Sequence, residues 1–525
     1  MKTPAEMIQG WKKYIMAEWK LAFGAALLVG FLVHLPMMLS DIPNHDGLDS
    51  LYFDQNMITS GRWFLTVACG LTSYYSLPWL IGILAIFWLG LTAVVLVAFL
   101  EVQDRVAIVL ISSLLMVFPA LASTFAYAFT MDGYMLALFL AAAAALCVKK
   151  WKWGFVPGAV CLAFSLGTYQ AYLPFAVILS IYGILMQAMS SATIRDKFRN
   201  ALRYLYMGIL GLALYYSILQ LLLKIQGKEL ASYQGIEDLG RGPFSGGIVG
   251  LLQTIRNMYY DFFAFSLRGN VLMNNLFSTA AVIGLLSVTI IMFVRLAVNH
   301  KWWKNPWFYI LLTLLVVVLP PASNLIQLIS SGVSYHLLMR YQWVLYLILP
   351  IAFIARYRRN QSVWADWCVL LCAAVLVINY AVTDNIAYSN LQKRYEKTYA
   401  YCVRLLDRIE QTPGYYQGIP IAMIGVVSDE SYPMTDITQD VTSNMIGMNG
   451  DVLLYTGNNY ELFIRNYLGA TLNILPPEVM EEIYYSEEYR AMDSFPGADS
   501  VKLVDGVIYV KTENIEKAPV EEKDK

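Results

Sequence analysis

Apolar runs recur along the first three quarters of the chain with almost no charge inside them, Leu77 to Leu100, Phe308 to Pro320 and Trp367 to Val382 among them. A helix crossing the roughly 30 Å hydrocarbon core of a bilayer needs about 20 mostly apolar residues. The runs approach or exceed that length, and the pattern predicts about eleven spans. They fall near residues 20–40, 78–100, 105–121, 132–148, 154–171, 172–189, 203–224, 276–295, 307–329, 342–355 and 364–383. Lys12, Lys13 and Lys20 precede the first run, which is too long for a signal h-region and has no small-residue cleavage site, so it reads as a retained span. The fold class expected is a polytopic α-helical membrane protein, with residues 1–383 as its membrane domain.

Three longer polar segments interrupt the spans, at 41–77, 225–275 and from Pro320-Pro321 through Arg340 (loop 330–341). Within the second, Ile248 to Phe265 reads as an interfacial helix rather than a span. After about residue 384 apolar runs shorten and polar residues rise. Leu391–Ile409 predicts a helix, Ile419–Val427 a buried strand, Glu461–Leu468 and Glu478–Tyr485 short helices. Val501–Lys511 alternates around Asp505-Gly506, a hairpin signal. Residues 384–512 are therefore expected to form a small α/β domain, and 513–525 a charged, disordered tail.

Composition agrees with this class. Apolar residues make up 58% and charged residues 14% of the chain, against roughly 45–50% and about 25% in soluble domains. A net charge of −1 gives no pull toward nucleic acid. The cysteines, Cys69, Cys147, Cys161, Cys368, Cys372 and Cys402, form neither a zinc pattern nor a secreted disulfide framework and read as packing residues. Lys and Arg favour cytoplasmic loops. Every second loop is basic, carrying Arg105; Lys149, Lys150 and Lys152; Arg195, Lys197, Arg199 and Arg203; Arg295, Lys301 and Lys304; or Arg356, Arg358 and Arg359. That alternation places the N-terminus inside and the C-terminal domain outside.

Long loops are commonly functional, so the outer segments are where chemistry is expected. The first reads Asp41-Ile-Pro-Asn-His-Asp46-Gly-Leu-Asp49. Carboxylates just after a span suit general-base work or a hard metal ion, and equally a capped, solvated loop, with Asp46 and Asp49 sharing a helix-start turn. The aromatics Tyr52, Phe53, Trp63, Tyr74, Tyr75 and Trp79 read as an interfacial belt before a sugar platform.

This loop, followed by Ser60-Gly61-Arg62-Trp63, resembles the bacterial integral-membrane glucosyltransferase family that modifies O-antigens and related surface glycans, within the GT-C superfamily. The family's paired acids appear here as His45-Asp46, so the first acid is replaced. Phe125 to Met135, with Asp132 at a span start, and Gly167-Thr-Tyr169-Gln170-Ala171 resemble further family stretches in the same order. The resemblance implies an inverting transfer of a hexose, glucose by family, from a polyprenyl-phosphate donor to an extracytoplasmic surface glycan at the bacterial inner membrane. It gives Asp46 the role of base, with Asp49 as second choice. Arg62, His336 and Arg340 would meet the donor phosphate, since arginine grips phosphate oxygens bidentately. Asp132, Tyr169 and Gln170 would orient sugar or acceptor; helix-end stabilisation for Asp132 and interface anchoring for the other two are the structural alternatives. No cofactor is assigned, although a divalent cation at Asp46, Asp49 and Asp132 is allowed for. Membrane lipid is an expected partner and nucleic acid is not. The competing function is a flippase or transporter of a lipid-linked sugar, disfavoured because the predicted spans carry few ionisable groups at mid-depth.

Overall fold

The computed structural model describes residues 3, 15–49, 57–73, 75–231, 247–302, 306–329, 335–357, 363–425, 441–442, 445, 454 and 457–513. The chain divides into two compact units. The first comprises residues 1–39 and 55–385, the second residues 40–54 and 386–525. The division at 385 lies close to the boundary expected at 383. The assignment of 40–54 to the second unit differs from the sequence reading, which left the whole first loop with the membrane domain. The physical reason is Leu48, which is buried in the second unit's core beside Tyr401, Leu405 and Phe463.

In the first unit the apolar runs form helices, making this a polytopic helical membrane protein. Among the described residues eight are long and apolar enough to cross a bilayer: Ala17–Met38, Pro78–Leu100, Ala128–Lys150, Gln170–Ala188, Ile194–Gln226, Leu276–Asn299, Leu337–Arg356 and Val363–Glu410. A bent pair, Arg105–Val117 with Pro119–Phe125, makes a ninth. The two other expected spans meet shorter apolar helices, Phe155–Thr168 and the stretch within Pro306–Ser323, so among the described residues eight or nine helices have the length and composition of a crossing. The expected span 364–383 and helix 391–409 are one continuous helix of 48 residues, Val363–Glu410. No glycine or proline interrupts it, so the change of composition near 384 marks new surroundings for an unbroken backbone.

The bend of 44° in the broken span has an identifiable cause. Pro119 has no N–H for the Leu115 carbonyl and its ring crowds the preceding turn. In an apolar interior the freed carbonyls need other donors. Tyr341 donates its hydroxyl to Leu115 O, and His34 Nε2 lies 2.7 Å from Met116 O with its ring stacked on Phe125 at 4.3 Å. Two distant side chains thus hold the break. Elsewhere in the unit, Glu101 joins Lys149 at 3.2 Å and Arg356 at 2.8 Å, tying three helix ends together. Gly247–Arg268 is an amphipathic helix with Ile248, Val249, Leu252 and Phe263 exposed.

The second unit is built on a four-stranded sheet in the order β2-β1-β4-β3, where β1 is Pro420–Ile424, β2 Asn473–Ile474, β3 Val501–Val504 and β4 Val507–Lys511. Strand β1 runs parallel to β2 and β4, pairing Ile421 with Ile508 and Met423 with Val510. The β3–β4 hairpin turns at Asp505 (φ 48°) and Gly506 (φ 83°), the two positive φ values that a tight primed turn requires. Alternate β1 residues face opposite sides. Ile421 and Met423 pack with Cys402, Leu405 and Ile409; Ala422 and Ile424 pack with Met480, Tyr489 and Met492. The charged tail expected at 513–525 lies outside the described residues from 514 onward.

Candidate functional site

Two stretches singled out in the sequence meet in the first unit. The turn Ser60–Trp63 lies against Gly167–Gln170. Phe64 N–H donates to Gly167 O at 2.6 Å, and Gln170 Nε2 donates to Ser60 O and to Tyr215 Oη, both at 3.1 Å. Tyr215 Oη in turn donates to Gly61 O at 3.1 Å. Gly61 has φ +76°, and a Cβ there would sit 2.7 Å from both Gln170 Nε2 and Tyr215 Oη. Only glycine meets both conditions without strain. At Gly167 a Cβ would strike the Trp63 ring at 2.5 Å.

This turn places Arg62. Its Nη1 donates to Tyr134 Oη at 3.3 Å, and its guanidinium carbon stands 6.0 Å from the Tyr169 ring centre. Tyr134 and Tyr169 are stacked face to face at 4.0 Å. The guanidinium is therefore oriented by an aromatic pair. Tyr134 belongs to the first turn of Met131–Lys150, the turn that also carries Asp132. Asp132 is 1% exposed. Its Oδ1 accepts the Gly133 N–H at 2.9 Å, while Oδ2 is buried with no hydrogen-bond partner. The Cys69 thiol lies beside it, and burial followed by the Asp132 charge pushes that thiol's pKa well up, keeping it protonated. Sequence reasoning proposed Arg62, Asp132, Tyr169 and Gln170 separately; the structure gathers Arg62, Tyr169 and Gln170 around one turn, with Asp132 on the helix that supplies Tyr134.

Arg340 lies in a different setting. It is 7% exposed and donates Nη1 and Nη2 to the two oxygens of Asp261, each at 2.7 Å, and Nε to Tyr335 O at 3.3 Å. The guanidinium is sandwiched by Tyr335 at 3.9 Å and Phe265 at 4.5 Å. Of five N–H donors, Asp261 and Tyr335 engage three, leaving two. His336 caps the same Leu337–Val344 segment, its carbonyl accepting Met339 N–H at 3.1 Å. Gln342 Nε2 donates to Ser323 O and Tyr335 Oη at 2.7 Å.

Asp46 belongs to the second unit, on the short helix His45–Asp49. The capping role considered for it falls to Asn44, whose Oδ1 accepts Gly47 N–H at 2.6 Å. Asp46 is exposed. The Asp49 side chain lies outside the described residues, as do Tyr52, Phe53, Asp54 and Tyr74. Trp63, expected in the interfacial belt, is packed inside against Phe164 at 5.4 Å, whereas Tyr75 and Trp79 are exposed. Among the described residues no three His, Cys, Asp or Glu side chains are grouped as metal ligands.

The family model described as glucosyl transferase GtrII matches residues 35–354, more than half of the chain. The chain belongs to this family. No curated protein and no solved structure matches the chain. The GtrII match spans Asp46, Asp49, Arg62, Asp132, Tyr169, Gln170, His336 and Arg340 and makes the protein a glucosyltransferase by family; it ends before the long helix Val363–Glu410 and the sheet. Sequence reasoning passed over Tyr134, Tyr215 and Asp261, whose roles come from partners 72, 154 and 79 residues away. It also passed over Asp384, fully buried with neither oxygen hydrogen-bonded. The only signal for Asp384 was one acid directly after an apolar run.

Proposed function

We propose that this GtrII protein transfers glucose from a polyprenyl-phosphate donor to an extracytoplasmic surface glycan, with inversion, as a GT-C-type enzyme of the bacterial inner membrane. The observation that carries the reading is the Arg62 cluster. A restrained guanidinium with tyrosine neighbours is suited to charge that builds on a leaving phosphate, and such preorganised stabilisation is commonly the largest contribution to catalysis. The bond from the acceptor oxygen to the anomeric carbon forms as the bond to the phosphate oxygen breaks. Polyprenyl phosphate leaves with the electron pair, stabilised by Arg62, with His336 and the two remaining Arg340 donors as further cationic or donor groups. Asp46, exposed on the short helix that follows the first span in the chain, takes the acceptor proton; Asp49 is the second choice. Asp132, Tyr169 and Gln170 orient sugar hydroxyls. The orientation proposed has the N-terminus inside and the C-terminus outside, so that the donor is lipid-linked rather than a nucleotide sugar.

The test is a pair of substitutions assayed in membranes for glycan modification. Asn keeps the size of Asp but cannot act as a base, and loss of a general base costs about 10²–10⁴-fold in rate. Asp46→Asn is expected at normal abundance with that loss. A wild-type rate in Asp46→Asn alongside an inactive Asp49→Asn moves the base to Asp49, and two active variants remove this loop from the chemistry.

A further inference from the structure

Two loops of the first unit meet at helix ends that the transfer mechanism does not use. The helix Ala128–Lys150 runs out into Lys149-Lys150-Trp151-Lys152-Trp153, and Ile194–Gln226 opens on the stretch Ile194 to Arg203. Arg203 joins the two, its Nη2 donating to Val148 O and Trp151 O. Aromatic rings bridge them a second time, Trp153 to Phe155 at 5.7 Å and Phe155 to Tyr206 at 6.1 Å. Side chains of both loops are therefore held on one surface.

That surface is of one sign. Residues 149–153 and 194–203 hold seven cations and a single acid, Asp196. Four of the cations are engaged by the protein itself. Lys149 pairs with Glu101 at 3.2 Å, Arg199 pairs with Asp196 at 2.8 Å, Lys197 donates to Ala188 O at 2.8 Å, and Arg203 clamps the loops. Lys150, Lys152 and Arg195 are exposed, and no hydrogen bond or ion pair engages them among the described residues. Arg356, from another basic segment, is met by Glu101 at 2.8 Å instead.

Large apolar groups interleave with these three cations. Trp151 and Trp153 alternate with the lysines and are 60% and 68% exposed; Ile194 and Phe198, one turn apart beside Arg195, are exposed as well. A fully hydrated loop gains nothing from such side chains. At the end of a membrane span they have a medium. Indole rings settle at headgroup depth, with the ring in the apolar boundary and the N–H among polar groups. Lysine and arginine just outside a span attract anionic lipid. A soluble polyanion would meet the cations and leave the tryptophans in water, whereas a lipid headgroup meets both.

We infer that Lys150, Trp151, Lys152, Trp153 and Arg195 form a binding site for the headgroup of an anionic phospholipid. The inference rests on the chain spanning a bilayer and is independent of the transferase reading. The test weighs the intact full-length protein by native mass spectrometry after release from nanodiscs of equimolar phosphatidylglycerol and phosphatidylcholine. Wild type is expected to retain phosphatidylglycerol in preference. Lys150→Gln/Lys152→Gln/Arg195→Gln removes three charges, each worth about fivefold in affinity at an anionic surface. Affinity for phosphatidylglycerol should fall on the order of a hundredfold, to the level of phosphatidylcholine. Lys150→Arg/Lys152→Arg/Arg195→Lys keeps the charges and should keep the preference, so its loss in both variants assigns the effect to the fold of the loops and overturns the site. Equal retention of the two lipids by wild type, or an unchanged preference in the glutamine variant, also overturns it. Polyglutamate at matched charge should leave the lipid bound; displacement assigns the patch to a soluble acidic partner and defeats the lipid site.

Discussion

Gly61→Ala tests whether the turn that carries Arg62 governs activity. Alanine at φ +76° pays about 1–2 kcal/mol for the left-handed conformation. Its methyl would sit 2.7 Å from Gln170 Nε2 and Tyr215 Oη, so both must retreat. That retreat disrupts the Gln170–Tyr215 and Tyr215–Gly61 hydrogen bonds, each 3.1 Å long and each worth about 0.5–1.5 kcal/mol net. The local disturbance therefore amounts to roughly 2–5 kcal/mol, part of which relaxes by tilting the turn. Arg62 is the next residue, and a displacement of about 1 Å in a positioning group can cost on the order of 10²-fold in rate. Transfer kinetics on protein matched for membrane abundance should show kcat/KM down by about 10–100-fold, with the protein still folded. Truncating the obstruction in Gly61→Ala/Gln170→Ala should not restore the rate, because Gln170 itself holds Ser60. Wild-type kinetics in Gly61→Ala would refute the claim that this turn sets the position of a catalytic cation.

Other outcomes follow from the same structure. Arg340→Ala leaves Asp261 as an orphaned, partly buried charge and should cost about 3 kcal/mol of stability, whereas Arg340→Ala/Asp261→Ala should recover much of it; equal melting shifts in single and double variants would refute the pairing. Burial tends to raise the Glu101 carboxyl, but Lys149 and Arg356 outweigh it and hold its pKa below the ordinary value. Its stabilisation is thus full above the unfolded value of about 4.3 and lost as pH falls through the folded one, so acid melting curves of wild type and Glu101→Gln should converge there, and parallel curves would refute the clamp. A reporter active only in the cytoplasm, fused after Lys525, should stay silent if the C-terminus lies outside; a strong signal would reverse the proposed orientation.

Elements whose cause is local were legible in the sequence. The Asp505-Gly506 hairpin, the β1 strand and the amphipathic helix at 247–268 follow from turn chemistry and periodicity. The break at Pro119 was also within reach, because a proline inside an apolar run frees a carbonyl. What supplies the missing donors, Tyr341 and His34, was not, because each lies far along the chain. The unbroken helix Val363–Glu410 was divided because a change of polarity was taken for a change of backbone. The site shows the same split. Gly61-Arg62, Asp132 and Tyr169-Gln170 stood out as motifs, but the pairing of Arg340 with Asp261 and the stacking of Tyr134 on Tyr169 arise only when distant helices pack. The placement of residues 40–54 in the second unit shows in the burial of Leu48 beside Tyr401, Leu405 and Phe463, partners far along the chain.

The central claim is that this glucosyltransferase draws its sugar from a polyprenyl-phosphate donor. The direct measurement reconstitutes the purified protein in proteoliposomes with polyprenyl-phosphate [¹⁴C]glucose and delipidated host surface polysaccharide, with UDP-[¹⁴C]glucose as the alternative donor. The account predicts label in the polysaccharide with polyprenyl phosphate released, none from UDP-glucose alone, and loss of that transfer in Arg62→Ala. Label transferred from UDP-glucose, or movement of the lipid-linked sugar across the bilayer with no glycan labelled, would contradict it.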